Sequence, residues 1–179
     1  DDDEVAATLQ HAITSDTFRV YTNDDVLGVE FCGAAKNPIA VAVGMSDGLG
    51  FGDNSRASLM TRSVVEMTRL GIVQGAHMNT FTGLAGIGDL IATCTSRHSR
   101  NRLAGELLAK GASPAEVEAQ VGQVVEGLHT AYALHDLAAR LGIDMPVTEN
   151  VYQVLEGNRT PQESVADLMG RTPKKERHE

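Results

Sequence analysis

Apolar residues recur at helical spacing along most of this 179-residue chain. Val5, Leu9 and Ile13 stand four apart, so the stretch from about Asp3 to Thr14 reads as an amphipathic helix. Phe18-Arg19-Val20-Tyr21-Thr22 alternates apolar and polar positions instead, which predicts a strand. A lone strand cannot satisfy its own backbone, and no later stretch repeats the pattern. Residues 1–23 therefore read as a helix–strand remnant at the end of an α/β domain whose earlier part is missing.

Residues 24–179 read as mostly α. One helix is expected from about Asp24 through Lys36 to near Ser46, with Pro38 bending it or opening one turn. Gly48-Leu49-Gly50-Phe51-Gly52 predicts a loop, after which Asp53 or Asn54 caps a helix whose apolar face holds Leu59, Val64, Met67 and Leu70. Gly75 is its expected stop. Thr80 to Gly88 is rich in glycine and reads as turn, leading to a short helix from Asp89. Ser113-Pro114-Ala115-Glu116 and Thr160-Pro161-Gln162-Glu163 each combine a capping box with proline at the first helical position. Between them, Leu128, Ala131, Leu134, Leu137, Ala138 and Leu141 form one helix face ending at Gly142, and a further helix covers about Thr148 to Leu155 and stops at Gly157. The charged tail from Arg171 is expected to fray.

Composition narrows the possibilities. A net charge of −9 argues against a nucleic-acid partner, which needs a basic surface. Cys32 and Cys94 have no metal-ligand spacing and read as buried thiols of a reducing, cytoplasmic compartment. The first residues are acidic where a signal peptide would be basic. The uncharged stretch Leu70–Gly88 has a turn composition unsuited to a membrane span. The histidines are scattered, so no metal is assigned.

Three segments could carry chemistry. Lys36, the only lysine among the first 109 residues, interrupts the small, apolar run Gly33-Ala-Ala-Lys36-Asn37-Pro38-Ile-Ala-Val. Desolvation lowers a lysine's pKa and fits it for general-base work, whereas a lysine snorkelling to water has no such role. Asp89 follows Gly86-Ile-Gly88, where a carboxylate can cap the next helix or pair with Lys36. Ser99-Arg100-Asn101-Arg102 is the basic spot of an acidic chain, suited to a phosphate or equally to a solvated face. Gly48-x-Gly50-x-Gly52 and Gly83-x-x-Gly86-x-Gly88 follow no predicted strand, so neither is read as a nucleotide-phosphate loop.

Taken in order, these segments resemble the C-terminal domain of bacterial NAD(P)-dependent glycerol-3-phosphate dehydrogenase. The resemblance runs through Gly33-Ala-Ala-Lys-Asn, Ser46-Asp-Gly-Leu-Gly-Phe-Gly-Asp-Asn, Gly83-Leu-Ala-Gly-Ile-Gly-Asp-Leu, Ser99-Arg-Asn-Arg and Gly122-Gln-Val-Val-Glu-Gly, and covers nearly the whole chain. It implies a multi-helix fold like the C-terminal domain of 6-phosphogluconate dehydrogenase. Sn-glycerol 3-phosphate and dihydroxyacetone phosphate would be interconverted with NAD or NADP, supplying phospholipid synthesis. On this resemblance Lys36 is the proton acceptor and donor at the C2 oxygen, and Lys36, Asp89, Ser99, Arg100 and Asn101 bind substrate. Arg100, Val124 and Glu126 touch the cofactor, with Asn37 and Thr93 as second contacts. The chain departs from the family pattern at Cys32 and Pro38. The family's glycine-rich cofactor domain is missing, so the chain alone is expected to be inactive and to work with that N-terminal domain; a homodimer is left open. Competing readings are a dehydrogenase of another hydroxy substrate and a free-standing helical interaction module.

Overall fold

The computed structural model describes residues 2–171. Asp2 caps α1 (Asp3–Ile13) by accepting the N–H groups of Glu4 and Val5. No residue of this helix is buried: Val5, Leu9 and Ile13 are each about half exposed. The expected strand does not form. Phe18–Thr22 has no regular secondary structure and no ladder partner among the described residues, and hydrogen bonds from Gln10 Nε2 to the Val20 carbonyl (2.9 Å) and from Val20 N to Thr14 Oγ1 (3.3 Å) tie it back to α1. A two-residue period without a neighbouring edge to pair with does not by itself make a strand.

The centre of the fold is α2 (Val26–Gly48), buried continuously from Asn37 to Ser46. The helix continues through Pro38 without a break, although the proline has no N–H to give the Ala34 carbonyl. Its best 18-residue window has a mean hydropathy of 1.4, enough by length and composition for a membrane span, but 56% of that window is buried against the other helices. Around it lie α3 (Asp53–Val73), α4 (Met78–Thr82), α5 (Asp89–Thr95) and α6 (Arg100–Ala109). They are followed by α7 (Pro114–Val121), α8 (Glu126–Leu141), α9 (Pro146–Leu155) and α10 (Pro161–Gly170). One side of α2 joins Ile39 and Val43 to Met67, Leu70, Phe81, Leu90, Cys94 and Leu134. The other joins Val41 and Met45 to Leu108, Val117, Leu128 and Val151.

Two glycines let α6 press onto α2. A Cβ on Gly44 would lie 2.0 Å from the Arg102 carbonyl oxygen, and one on Gly105 would lie 2.0 Å from that of Val41. Both capping boxes form as expected, and Gly122 and Gly142 close α7 and α8 in the left-handed conformation. Three expectations are corrected. The cap of α3 is Gly52, with no side-chain bond, and Asp53 lies in the first turn, paired with Arg56 at 2.9 Å. Residues 80–88 are helical rather than turn except at Gly83, which is extended: α4 runs to Thr82, and Leu84–Gly88 forms a π-helical turn. Proline opens α9 at Pro146, two residues before the predicted start. Beyond Arg171, the charged tail lies outside the described residues.

Candidate active site

Lys36 leaves α2 one residue before its continuously buried stretch, which keeps its side chain largely covered (19% exposed) while Asp89 stays more open (41%). The Lys36 Nζ donates to Asp89 Oδ2, joining residues 53 positions apart in sequence. Thr93, one turn along α5, donates its hydroxyl to the other oxygen of Asp89 at 3.3 Å. Asp89 does not cap α5: Gly88 occupies the cap position without a side-chain bond, leaving the carboxylate free for Lys36. The π-helical turn delivers Asp89 to this place. Gly88 N donates five residues back to the Gly83 carbonyl (3.2 Å), and a Cβ on Gly86 would lie 2.1 Å from the Phe81 carbonyl oxygen.

Beside the lysine, Asn37 joins two further elements. Its Nδ2 donates to Glu126 Oε2 (3.0 Å), and its Oδ1 accepts from Asn101 Nδ2 (2.9 Å). Asn101 Oδ1 in turn accepts the Gly127 N–H at 2.9 Å. The start of α6, the start of α8 and the middle of α2 therefore share one amide chain. Gly127 permits it, because a Cβ there would lie 2.7 Å from the Asn37 carbonyl oxygen. Exposed Arg100 donates to the Val124 carbonyl (3.1 Å) and to Gln123 Oε1 (3.3 Å). Ser99 caps α6 by accepting the Arg102 N–H (3.2 Å), so its hydroxyl proton is not used by that bond.

The structure thus brings Lys36, Asp89 and Thr93 into one contact and Asn37, Asn101 and Glu126 into an adjoining one. Arg100 and Val124 form a third, on the outer side. Such a set can move a proton through an ammonium held by a carboxylate, and can bind an anion at a guanidinium and a helix start. Cys32 and Cys94 are buried thiols, pushed up by that burial to about 11 and about 12, and neither is poised for redox chemistry.

Sequence reasoning missed several supporting residues. Asp25 is held below the usual carboxylate range, chiefly by the Thr80 hydroxyl and also by the His77 and Gly28 N–H groups. It clips the start of α2 to α4. Buried Glu66 accepts the Val147 N–H (2.9 Å) and that of Thr148 (3.4 Å), and burial pushes its carboxyl up to about 7. Its signal was a charged residue one turn from both Ser63 and Leu70 on an inward face. Asp47, which takes two arginines, and Gln123 carried no comparable signal.

Residues 25–166 match the family model described as the NAD-dependent glycerol-3-phosphate dehydrogenase C-terminus. The chain belongs to that family. It is 56% identical over 170 residues to the glycerol-3-phosphate dehydrogenase (NAD(P)+) of Moorella thermoacetica, covering 95% of this chain and 51% of that protein. Against the corresponding protein of Halalkalibacterium halodurans it is 52% identical over 168 residues, or 94% of this chain and 49% of the relative. The crystal structure of the Coxiella burnetii glycerol-3-phosphate dehydrogenase superposes with a TM-score of 0.91 at 43% identity, covering 96% of this chain and 53% of that one. The glycerol-3-phosphate dehydrogenase of Saccharomyces cerevisiae does so with a TM-score of 0.84 at 30% identity, covering 96% and 49%. The chain spans about half the length of the curated relatives it matches. The mostly α, multi-helix fold expected from the resemblance is the family's C-terminal fold.

Proposed function

We propose that this chain is the substrate half of an NAD(P)-dependent glycerol-3-phosphate dehydrogenase, with Lys36 moving the proton at the C2 oxygen. The observation that carries the reading is the Lys36–Asp89 contact, adjoined by the Asn37–Asn101 bond that ties the base to the Ser99–Asn101 corner. In the reducing direction, Lys36 donates a proton to the carbonyl oxygen of dihydroxyacetone phosphate as negative charge develops there. In the oxidising direction, neutral Lys36 takes the proton of the C2 hydroxyl. Asp89 orients the ammonium by accepting its N–H. Arg100, with Ser99 and Asn101, holds the phosphate, and so sets the distance from that group to the reacting carbon.

The residues present fit one edge of a nicotinamide cofactor. Val124 is exposed (63%) and offers an apolar surface beside the Arg100 guanidinium, and Glu126 is held by Asn37 a short way along. When bound, NAD or NADP supplies or accepts the hydride. No glycine-rich strand–turn–helix exists among the described residues, so the main cofactor site belongs to another domain. The product, glycerol 3-phosphate, fits a role in supplying phospholipid synthesis.

The test is reduction of dihydroxyacetone phosphate, followed as loss of NADH or NADPH absorbance. It is run on the 179-residue chain alone and on the polypeptide joining it to a cofactor-binding domain. The joined protein is expected to turn over and the chain alone to be inactive. Lys36→Met in the joined protein should lower kcat by roughly 10²–10⁴-fold. Turnover that survives Lys36→Met would strip the lysine of its role, and an inactive joined protein would sink the reading itself.

A further inference from the structure

Arg102 ends the basic string that begins at Ser99, yet the proton and phosphate chemistry does not use it. Its side chain turns back into the fold. The Nε donates to the Ser96 carbonyl (3.2 Å), and Nη1 meets Asp47 Oδ2 (2.9 Å) and Glu106 Oε1 (2.8 Å). Asp47, only 9% exposed, also binds Arg56 through Nε (3.2 Å) and Nη2 (2.9 Å). The same Ser96 carbonyl accepts the Ser99 N–H (3.3 Å), while Ser99 Oγ accepts the Arg102 N–H (3.2 Å). The turn before α6 is therefore held by Arg102 at both ends, and Arg102 is anchored on α2.

Lys36 and Asp47 belong to the same helix. They are eleven residues apart, or about 16 Å along its axis. Between them the helix is buried without interruption, so its length is a fixed spacer. The phosphate and the C2 oxygen of a three-carbon substrate are also a fixed distance apart. A corner free to drift from the base would have to be ordered each time the phosphate binds with the C2 oxygen at Lys36, so the substrate would bind more weakly.

We propose that Arg102 and Asp47 are positioning residues. Their ion pair anchors the Ser99–Asn101 corner to the helix that carries Lys36, and so sets the affinity for a phosphorylated substrate. The proposal rests on the functional reading above. Arginine suits the task because one planar guanidinium reaches a carbonyl and two carboxylates together; a lysine cannot.

The experiment is steady-state kinetics of the joined enzyme carrying Asp47→Asn or Arg102→Lys, with dihydroxyacetone phosphate as substrate and inorganic phosphate as competitor. For Asp47→Asn, the KM for dihydroxyacetone phosphate and the inhibition constant for phosphate are expected to rise together by about tenfold, the order of the cost of immobilising one side chain on binding. The value of kcat at saturation should stay within about twofold and the KM for NADH should not move, because hydride and proton transfer are untouched once the substrate is seated. Arg102→Lys should shift the same two constants in the same direction by less. It carries the test if Asp47→Asn does not fold, with circular dichroism and thermal melting checking each variant. Folded variants with unchanged KM and phosphate inhibition would overturn the proposal. So would a loss of kcat in proportion to a loss of folded protein with all KM values constant, which marks a purely structural pair. A wild-type enzyme inactive on dihydroxyacetone phosphate would instead remove the functional reading, and the positioning role with it.

Discussion

At the scale of single residues, the Lys36–Asp89 contact is held from both sides. Thr93 donates to the carboxylate oxygen that Lys36 does not use, which limits the rotation of Asp89. Asp89→Asn keeps the shape and removes the charge that orients the ammonium. Its kcat is expected to fall by roughly 10²-fold or more, with the fold intact by circular dichroism; an unchanged kcat would refute the role. Asn101 carries a different load, since its amide donates to Asn37 and accepts from Gly127. Asn101→Ala leaves the Gly127 N–H without its partner, and urea denaturation should register a loss of about 1–3 kcal/mol, along with weaker substrate binding. The types of these residues were legible in the sequence. Their partners were not, because pairs such as Asn37 and Asn101 are 64 positions apart and only folding decides which side chains meet.

At the scale of elements, α9 depends on a carboxylate from α3. Glu66 accepts the first N–H groups of a helix that has no side-chain cap of its own. Burial raises its folded pKa to about 7 from an ordinary value of 4.5. The native state therefore binds the proton more tightly than the unfolded chain. The stability linked to this group is complete below about pH 4.5 and is lost as pH rises through about 7. Glu66→Gln can still accept through its amide oxygen and never ionises. Relative to wild type, the variant should gain on the order of 3 kcal/mol between pH 4 and 8, measured by urea unfolding across that range; parallel pH profiles would disprove the linkage. The contact of α6 with α2 depends on glycine in a similarly local way. Gly105→Val places atoms where the Val41 carbonyl and the Met45 N–H lie, and should lower stability by about 1–3 kcal/mol or more. The capping boxes of α7 and α10 were legible because they are local, whereas the π-helical turn was not. Its glycines satisfy equally the signal for a turn, and Phe81 packed beneath Gly86 decides between them.

At the scale of the whole molecule, stability is unevenly distributed. Helix α2 packs on both core clusters, while α1 buries no residue. Amide hydrogen exchange should be slowest in Asn37–Ser46 and fastest, among the helices, in α1. Equal protection of the two would contradict this architecture. The helix period, the caps and the net acidity followed from the sequence by itself, because each depends on neighbours within about one turn of helix or on a sum over residues. So did the choice of Lys36, Asp89 and Arg100 as candidates, since a charge amid small apolar residues or beside a helix start is conspicuous locally. The tertiary structure alone decided that Phe18–Thr22 has no ladder partner among the described residues, that Asp89 faces Lys36 instead of capping its own helix, and that Arg102 turns inward to Asp47. Each of those outcomes depends on which distant backbone or charge lies within hydrogen-bonding reach, and the packing around α2 is what brings it there.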